Sequence, residues 1–167
     1  MDFHAVFERY APHVRRFALF LCGNHALADD ITSETFVRAW VTQGKIVQET
    51  VKAYLFAIAR NLYHDALRHS KRLAPLGDAP VQARSSVETD YEIRTDLSSV
   101  MAAIQGLPEV ERAALLMRAL DGMPYEEISQ VLNMSVSNVK VRVHRARLKL
   151  MEARVTPRHT REAGDKI

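Results

Sequence analysis

Cys22 and His25 lie three residues apart and offer a thiol beside an imidazole, the pair from which an activated nucleophile is built. No carboxylate is placed to orient that imidazole, and the run Phe17-Ala18-Leu19-Phe20-Leu21 makes Cys22 a small core residue. Glu126-Glu127 offers paired carboxylates for acid–base work. No nucleophile or metal-ligating cluster converges on them, and acids favour the first turn of a helix, so the pair reads as a helix start. Asp30 and Glu34 are four apart and share one helix face, where both can meet basic side chains on another protein.

The most definite chemistry lies between Val136 and Met151. Val136, Val139, Val143, Ala146 and Leu150 recur at alternating spacings of three and four, one apolar stripe at helical period. Stepping about 100° per residue from that stripe places Ser137, Asn138, Val141, His144 and Arg145 outward, with Lys140, Arg142 and Lys149 on the flanks. The segment carries five Lys/Arg and no acid. Hydrogen-bonding side chains bordered by cations suit a helix in a DNA major groove, its centre reading base edges and its borders holding phosphates. The competing reading is a solvated basic face on a structural helix. Tyr125 to Leu132 reads as a preceding helix and Asn133-Met134-Ser135 as the tight turn, which together make a helix-turn-helix.

The elements that must position this motif are also helical. Val6, Phe7, Tyr10, Val14, Phe17, Ala18 and Leu21 predict a first amphipathic helix, ended by Gly23-Asn24. Ala26 to Trp40 predicts a second, with Asp29 and Asp30 near its positive end. Val51, Tyr54, Leu55, Ile58, Leu62 and Ala66 predict a third, whose outer face carries Arg60, Asn61, His64 and Arg68. Tyr54 lies on the stripe and reads as core, whereas Phe56 is open between core packing and stacking on unpaired bases. Pro75, Gly77, Pro80 and Ser85-Ser86 punctuate a stretch without apolar period, a linker. Helical spacing resumes with Ile93, Leu97, Val100, Met101 and Ile104, breaks at Gly106-Leu107-Pro108, and restarts through Leu120 to Asp121-Gly122. The expected fold class is all-α: two small helical domains, residues 1–70 and 93–153, a flexible linker over 71–92 and a disordered tail over 154–167.

At 167 residues the chain has room for one domain or two small ones, and 47% hydrophobic content argues for folded material. A net charge of +3 is mild, so a nucleic-acid argument rests on where the charges lie. One cysteine excludes an internal disulfide and a Cys-type zinc site. No stretch approaches the roughly 18 apolar residues of a membrane span, and Met1-Asp2-Phe3-His4 is unlike a secretory signal, so a cytoplasmic protein without membrane insertion is expected.

Two stretches, in this order, resemble the extracytoplasmic-function (ECF) sigma factors of the sigma-70 family. Ala28-Asp29-Asp30-Ile31-Thr32-Ser33-Glu34-Thr35-Phe36-Val37-Arg38-Ala39-Trp40 is similar to the family's second conserved region, followed by Tyr54-Leu55-Phe56-Ala57-Ile58-Ala59-Arg60-Asn61-Leu62 with Asp65 and Arg68. Leu107-Pro108-Glu109, Arg112, Gly122, Tyr125-Glu126-Glu127-Ile128, Val139-Lys140 and His144-Arg145-Ala146-Arg147 are similar to the fourth. The resemblance implies that Asp30, Ser33 and Glu34 dock on the beta-prime clamp of core RNA polymerase, that Arg60, Asn61, His64 and Arg68 meet the minus-10 element, and that Lys140, Val141, His144 and Arg145 read the minus-35 element. Further partners it implies are the polymerase beta flap and an anti-sigma factor; no cofactor is implied. The family usually has Gln at the position of Ser33, and many relatives carry a small polar residue where Val141 stands, so the minus-35 preference does not transfer. Residues 44–49 correspond to the loop that takes a flipped minus-10 base. The alternative is an autonomous helix-turn-helix regulator binding a palindrome as a dimer, although no heptad or dimer helix is evident.

Overall fold

The computed structural model describes residues 2–42, 51–73 and 91–155, and the described residues form seven α-helices with the turns after α1, α4, α5 and α6. The loop 44–49, residues 74–90 of the expected linker and residues 156–167 of the expected tail lie outside the described residues. Asp2 starts α1 (Phe3–Cys22) by accepting the His4 N–H at 3.0 Å. Gly23 ends it in the left-handed conformation, φ +71°, and returns its N–H to the Leu19 carbonyl at 2.7 Å. Asn24 then caps α2 (His25–Val41), its Oδ1 accepting the Leu27 N–H at 3.0 Å. After α3 (Val51–Leu73) come α4 (Tyr91–Gln105), α5 (Glu109–Ala119), α6 (Tyr125–Leu132) and α7 (Val136–Val155). Among the described residues there is no strand, and the all-α expectation holds.

Helices α1, α2 and α3 bury Val14, Phe17, Ala18, Leu21, Ile31, Phe36, Leu55 and Phe56 between them. Phe56 is fully buried and stacks on Phe17 with ring centroids 4.6 Å apart, which settles it as core rather than a base-stacking residue. Helices α4 to α7 enclose Ile104, Ala113, Leu116, Met117, Met123, Ile128, Val139, Val143 and Ala146. The two sets form one continuous core, with α1 lying against α4 and α5 and α3 against α6.

That packing rotates the buried face of α3 away from the expected stripe. Ala59 and Tyr63 are buried, whereas Tyr54, Ile58 and Ala66 are only half-buried, because α3 is covered on one side by α1 and α2 and on another by α6. The junction is held by Arg112, itself buried. Its guanidinium donates to the carbonyls of Leu21 (2.6 Å), Ile104 (3.1 Å), Gln105 (3.0 Å) and Leu107 (2.9 Å), which lie where α1 and α4 end. A cation at two helix C-termini satisfies orphan carbonyls and complements both dipoles.

Candidate nucleic-acid interface

The turn between α6 and α7 is built by three residues. Asn133 adopts φ +51°, a conformation Asn tolerates, and the Met134 N–H returns to the Ser129 carbonyl at 3.1 Å. Ser135 accepts the Asn138 N–H on its Oγ at 3.2 Å and so caps α7. Val139, Val143 and Ala146 are buried, Val136 and Leu150 half-buried, as the stripe predicts. On the opposite face Ser137, Asn138, Lys140, Val141, His144 and Arg145 are exposed and Arg142 is half-buried. Among the described residues, no side-chain hydrogen bond or ion pair engages His144 or Arg145. Lys140 lies 5.5 Å from the centre of the Tyr125 ring, which Arg118 also covers at 4.4 Å. Lys149 differs from its neighbours, because its Nζ is 2.7 Å from the carboxylate of buried Glu111 and ties α7 to α5.

On α3, Asn61 and Arg68 are exposed, Arg68 pairing with Asp65 one turn away. Arg60 and His64 are not free. Glu109, the first residue of α5, accepts from Arg60 Nε at 2.8 Å and Nη2 at 2.9 Å, and its Oε1 is 3.1 Å from His64 Nε2. Burial alone would raise the Glu109 carboxyl, but the hydrogen bonds and charge of Arg60, then of His64, outweigh it and hold the group below the usual carboxylate value. Sequence periodicity gave no signal for this contact, since it shows which face of a helix is polar and not which acid meets it.

On α2, Asp30, Ser33 and Glu34 are all exposed on one face, with Glu34 3.0 Å from Arg38. The same face continues into exposed Val37 (56%) and Val41 (77%). Beside it Trp40 is 53% exposed and packs edge-on against Phe3 at 4.7 Å, and Phe7, expected in the core, is 44% exposed against Phe36. The reading from sequence stopped at the charged residues of this face and missed its apolar continuation. The signal was present in Val37 and Val41, which follow Glu34 at helical spacing.

No thiol–imidazole pair is assembled. Cys22 is half-buried and donates to the Asn24 carbonyl at 3.4 Å, burial pushes its pKa up, and His25 points to solvent. Among the described residues no group of three His, Cys, Asp or Glu side chains is placed to hold a metal, and no helix is long and apolar enough to cross a membrane.

The model of sigma-70 region 2 matches residues 6–73, and that of sigma-70 region 4 matches residues 97–150. The chain is 31% identical over 155 residues to the ECF RNA polymerase sigma factor SigM of Bacillus subtilis, covering 90% of this chain and 93% of that one. The chain belongs to the ECF sigma factors. EcfG of Rhodopseudomonas palustris, also an ECF sigma factor, is 31% identical over 83% of this sigma factor and 77% of its own length. Among solved structures, the sigma factor RpoE of Bartonella quintana, crystallised with the anti-sigma factor NepR, superposes with a TM-score of 0.74 at 26% identity, over 93% of this sigma factor and 99% of that chain. CnrH in complex with the cytosolic domain of CnrY gives 0.69 at 25% identity, over 90% and 85%.

Proposed function

We propose that this sigma factor directs core RNA polymerase to promoters by reading the minus-35 element with α7 and the minus-10 element with α3, while the polymerase performs the chemistry. The observation that carries the reading is the outward face of α7, where uncommitted His144 and Arg145 stand among exposed Ser137, Asn138, Lys140 and Val141 in the second helix of a helix-turn-helix. Arg145 reads sequence by offering paired donors to a guanine edge, and Val141 meets a thymine methyl. Arg142 holds phosphate at the border of that face. Lys149 joins it there only when it leaves Glu111. Arg60, Asn61, His64 and Arg68 face the melted minus-10 strand, with cations for its phosphates and Asn61 for a base edge.

The α2 face of Asp30, Ser33 and Glu34, continued by Val37 and Val41, is the polymerase clamp contact: acids for basic partners at one end and an apolar anchor at the other. An apolar groove of about 500 Å³, lined by Phe20 of α1 and by Leu97, Val100, Leu115, Leu120 and Leu150 of the second unit, offers a surface for an apolar protein segment from the beta flap. The similar sigma factor RpoE was crystallised with the anti-sigma factor NepR, and the same type of partner is assigned here. Run-off transcription with purified core polymerase over a promoter library tests the reading. Promoter-selective transcripts that require the sigma factor are expected, and transcription indifferent to its addition refutes it.

A further inference from the structure

Of the five Lys and Arg side chains between Val136 and Met151, only Lys149 is held by an acid among the described residues. Its Nζ lies 2.7 Å from Glu111 Oε2. Glu111 is the third residue of α5, and its side chain is buried where α5 packs on α7, whereas that of Lys149 is half-exposed. Breaking an ion pair that leaves a carboxylate buried costs far more than breaking an exposed one, so Glu111 competes strongly for this cation. Lys149 follows Arg145 by four residues and therefore lies on the same side of α7, one turn further along. Its flexible stem lets the ammonium reach either Glu111 or a phosphate at that border. Binding to DNA is driven by the counterions that free cations displace from phosphate. A cation already neutralised by a buried carboxylate contributes nothing to that displacement.

We propose that Glu111 is an affinity-limiting residue of the recognition helix: it withholds Lys149 from phosphate and so sets the strength of the α7–DNA contact without touching its sequence preference. The proposal rests on the assignment of α7 to the minus-35 element made above. Phosphate contacts carry no sequence information, so withholding one weakens binding to all duplexes alike, while Arg145 and Val141 go on reading bases. The consequence is less retention on the large excess of competing non-specific sites that a genome presents. The first turn of α5 suits this role, because a carboxylate at the positive end of a helix keeps its charge without drawing in a second cation.

The test uses full-length Glu111→Gln, a near-isosteric change that removes the charge, assembled with purified core polymerase. Binding of a fluorescein-labelled duplex of random sequence, and of promoters mutated singly across the minus-35 element, is followed by anisotropy over a series of salt concentrations. Glu111→Gln should bind the random duplex about eightfold more tightly at 0.1 M salt, with a salt slope steeper by about 0.9, the effect of one added phosphate contact. The rank of the mutated promoters should stay as in wild type, and adding Lys149→Ala should restore the wild-type slope. Lys149→Ala alone should leave that slope unchanged, because in the wild type this cation is already held. A wild-type slope for Glu111→Gln overturns the proposal, as does a fall of about 0.9 for Lys149→Ala alone. Arg145→Ala, measured in parallel, separates the two readings. If it flattens the preference at one base pair while Glu111→Gln behaves as wild type, the withholding of Lys149 is refuted and the minus-35 reading stands; if it leaves every promoter's rank intact, the minus-35 reading itself is refuted. Should Glu111→Gln lose its helix signal in circular dichroism, Lys149→Ala alone decides, an unchanged slope supporting the proposal and a reduced one overturning it.

Discussion

Arg112 is the residue on which the junction depends most. Replacing it by Leu would leave the carbonyls of Leu21, Gln105 and Leu107 without this donor, while that of Ile104 keeps the Leu107 N–H, and each buried group so orphaned costs about 1–3 kcal/mol before relaxation. Urea denaturation of Arg112→Leu should show a loss of about 3 kcal/mol or more, with Arg112→Lys recovering only part of it. Glu109 makes a prediction in pH. Its folded-state pKa is depressed, so its contribution is complete above the unfolded carboxylate value and is lost as pH falls through the depressed one. The stability gap between wild type and Glu109→Gln should therefore be full near pH 6 and shrink toward about pH 3 in denaturant titrations. Arg145→Ala, by contrast, touches no described partner. It should leave the melting temperature nearly unchanged and cost about 1–3 kcal/mol at one minus-35 base pair, measured with holoenzyme on singly mutated promoters. If Lys149 were a simple phosphate contact, its removal would be equally harmless to folding. Because it neutralises buried Glu111, Lys149→Ala should also lower stability measurably in the same titration.

At the scale of elements, the helices legible in the sequence are those that bury one stripe. The Val139–Val143–Ala146 row, the Gly23-Asn24 break and the Asn133-Met134-Ser135 turn each follow from a local rule, and each is found where that rule puts it. Helix α3 is the exception, since a helix clasped from two sides has no single stripe to display. Arg60 and His64 read as outward because their partner, Glu109, is nearly fifty residues away, and one chain's periodicity carries no information about such a pairing. Phe56 was ambiguous for the same reason. Buried against Phe17, it should cost about 3–5 kcal/mol as Phe56→Ala. On α2 the legible part was charge. Asp30→Ala with Glu34→Ala should weaken binding to core polymerase in a titration while barely moving the melting temperature, because exposed pairs such as Glu34–Arg38 contribute little to folding.

For the whole molecule, size and promoter geometry disagree in a useful way. A compact body the size of the described residues has a radius of gyration of about 14 Å and spans about 36 Å. Elements named minus-35 and minus-10 lie about 25 base pairs apart, about 85 Å along the duplex at 3.4 Å per step. If α3 and α7 take these elements as proposed, the packed arrangement of α1 against α4 and α5 cannot serve both at once. Fluorophores on α2 and α7 should report a separation under about 40 Å in the free chain and well above it in the promoter-bound holoenzyme.

Gly23 links the turn after α1 to the second unit. Its φ of +71° already disfavours most side chains, yet Asn is tolerated in that conformation, as Asn133 demonstrates at the equivalent place in α6. A side chain at position 23 would also meet the second unit: a Cβ there comes within 2.9 Å of Gln105, which would have to shift although it donates to the Phe20 carbonyl at 2.6 Å. A bare glycine after α1 is thus favoured twice, once by the turn and once by Gln105. Gly23→Asn should therefore cost stability beyond the strain of the turn itself, since seating the new side chain displaces Gln105 from the Phe20 carbonyl.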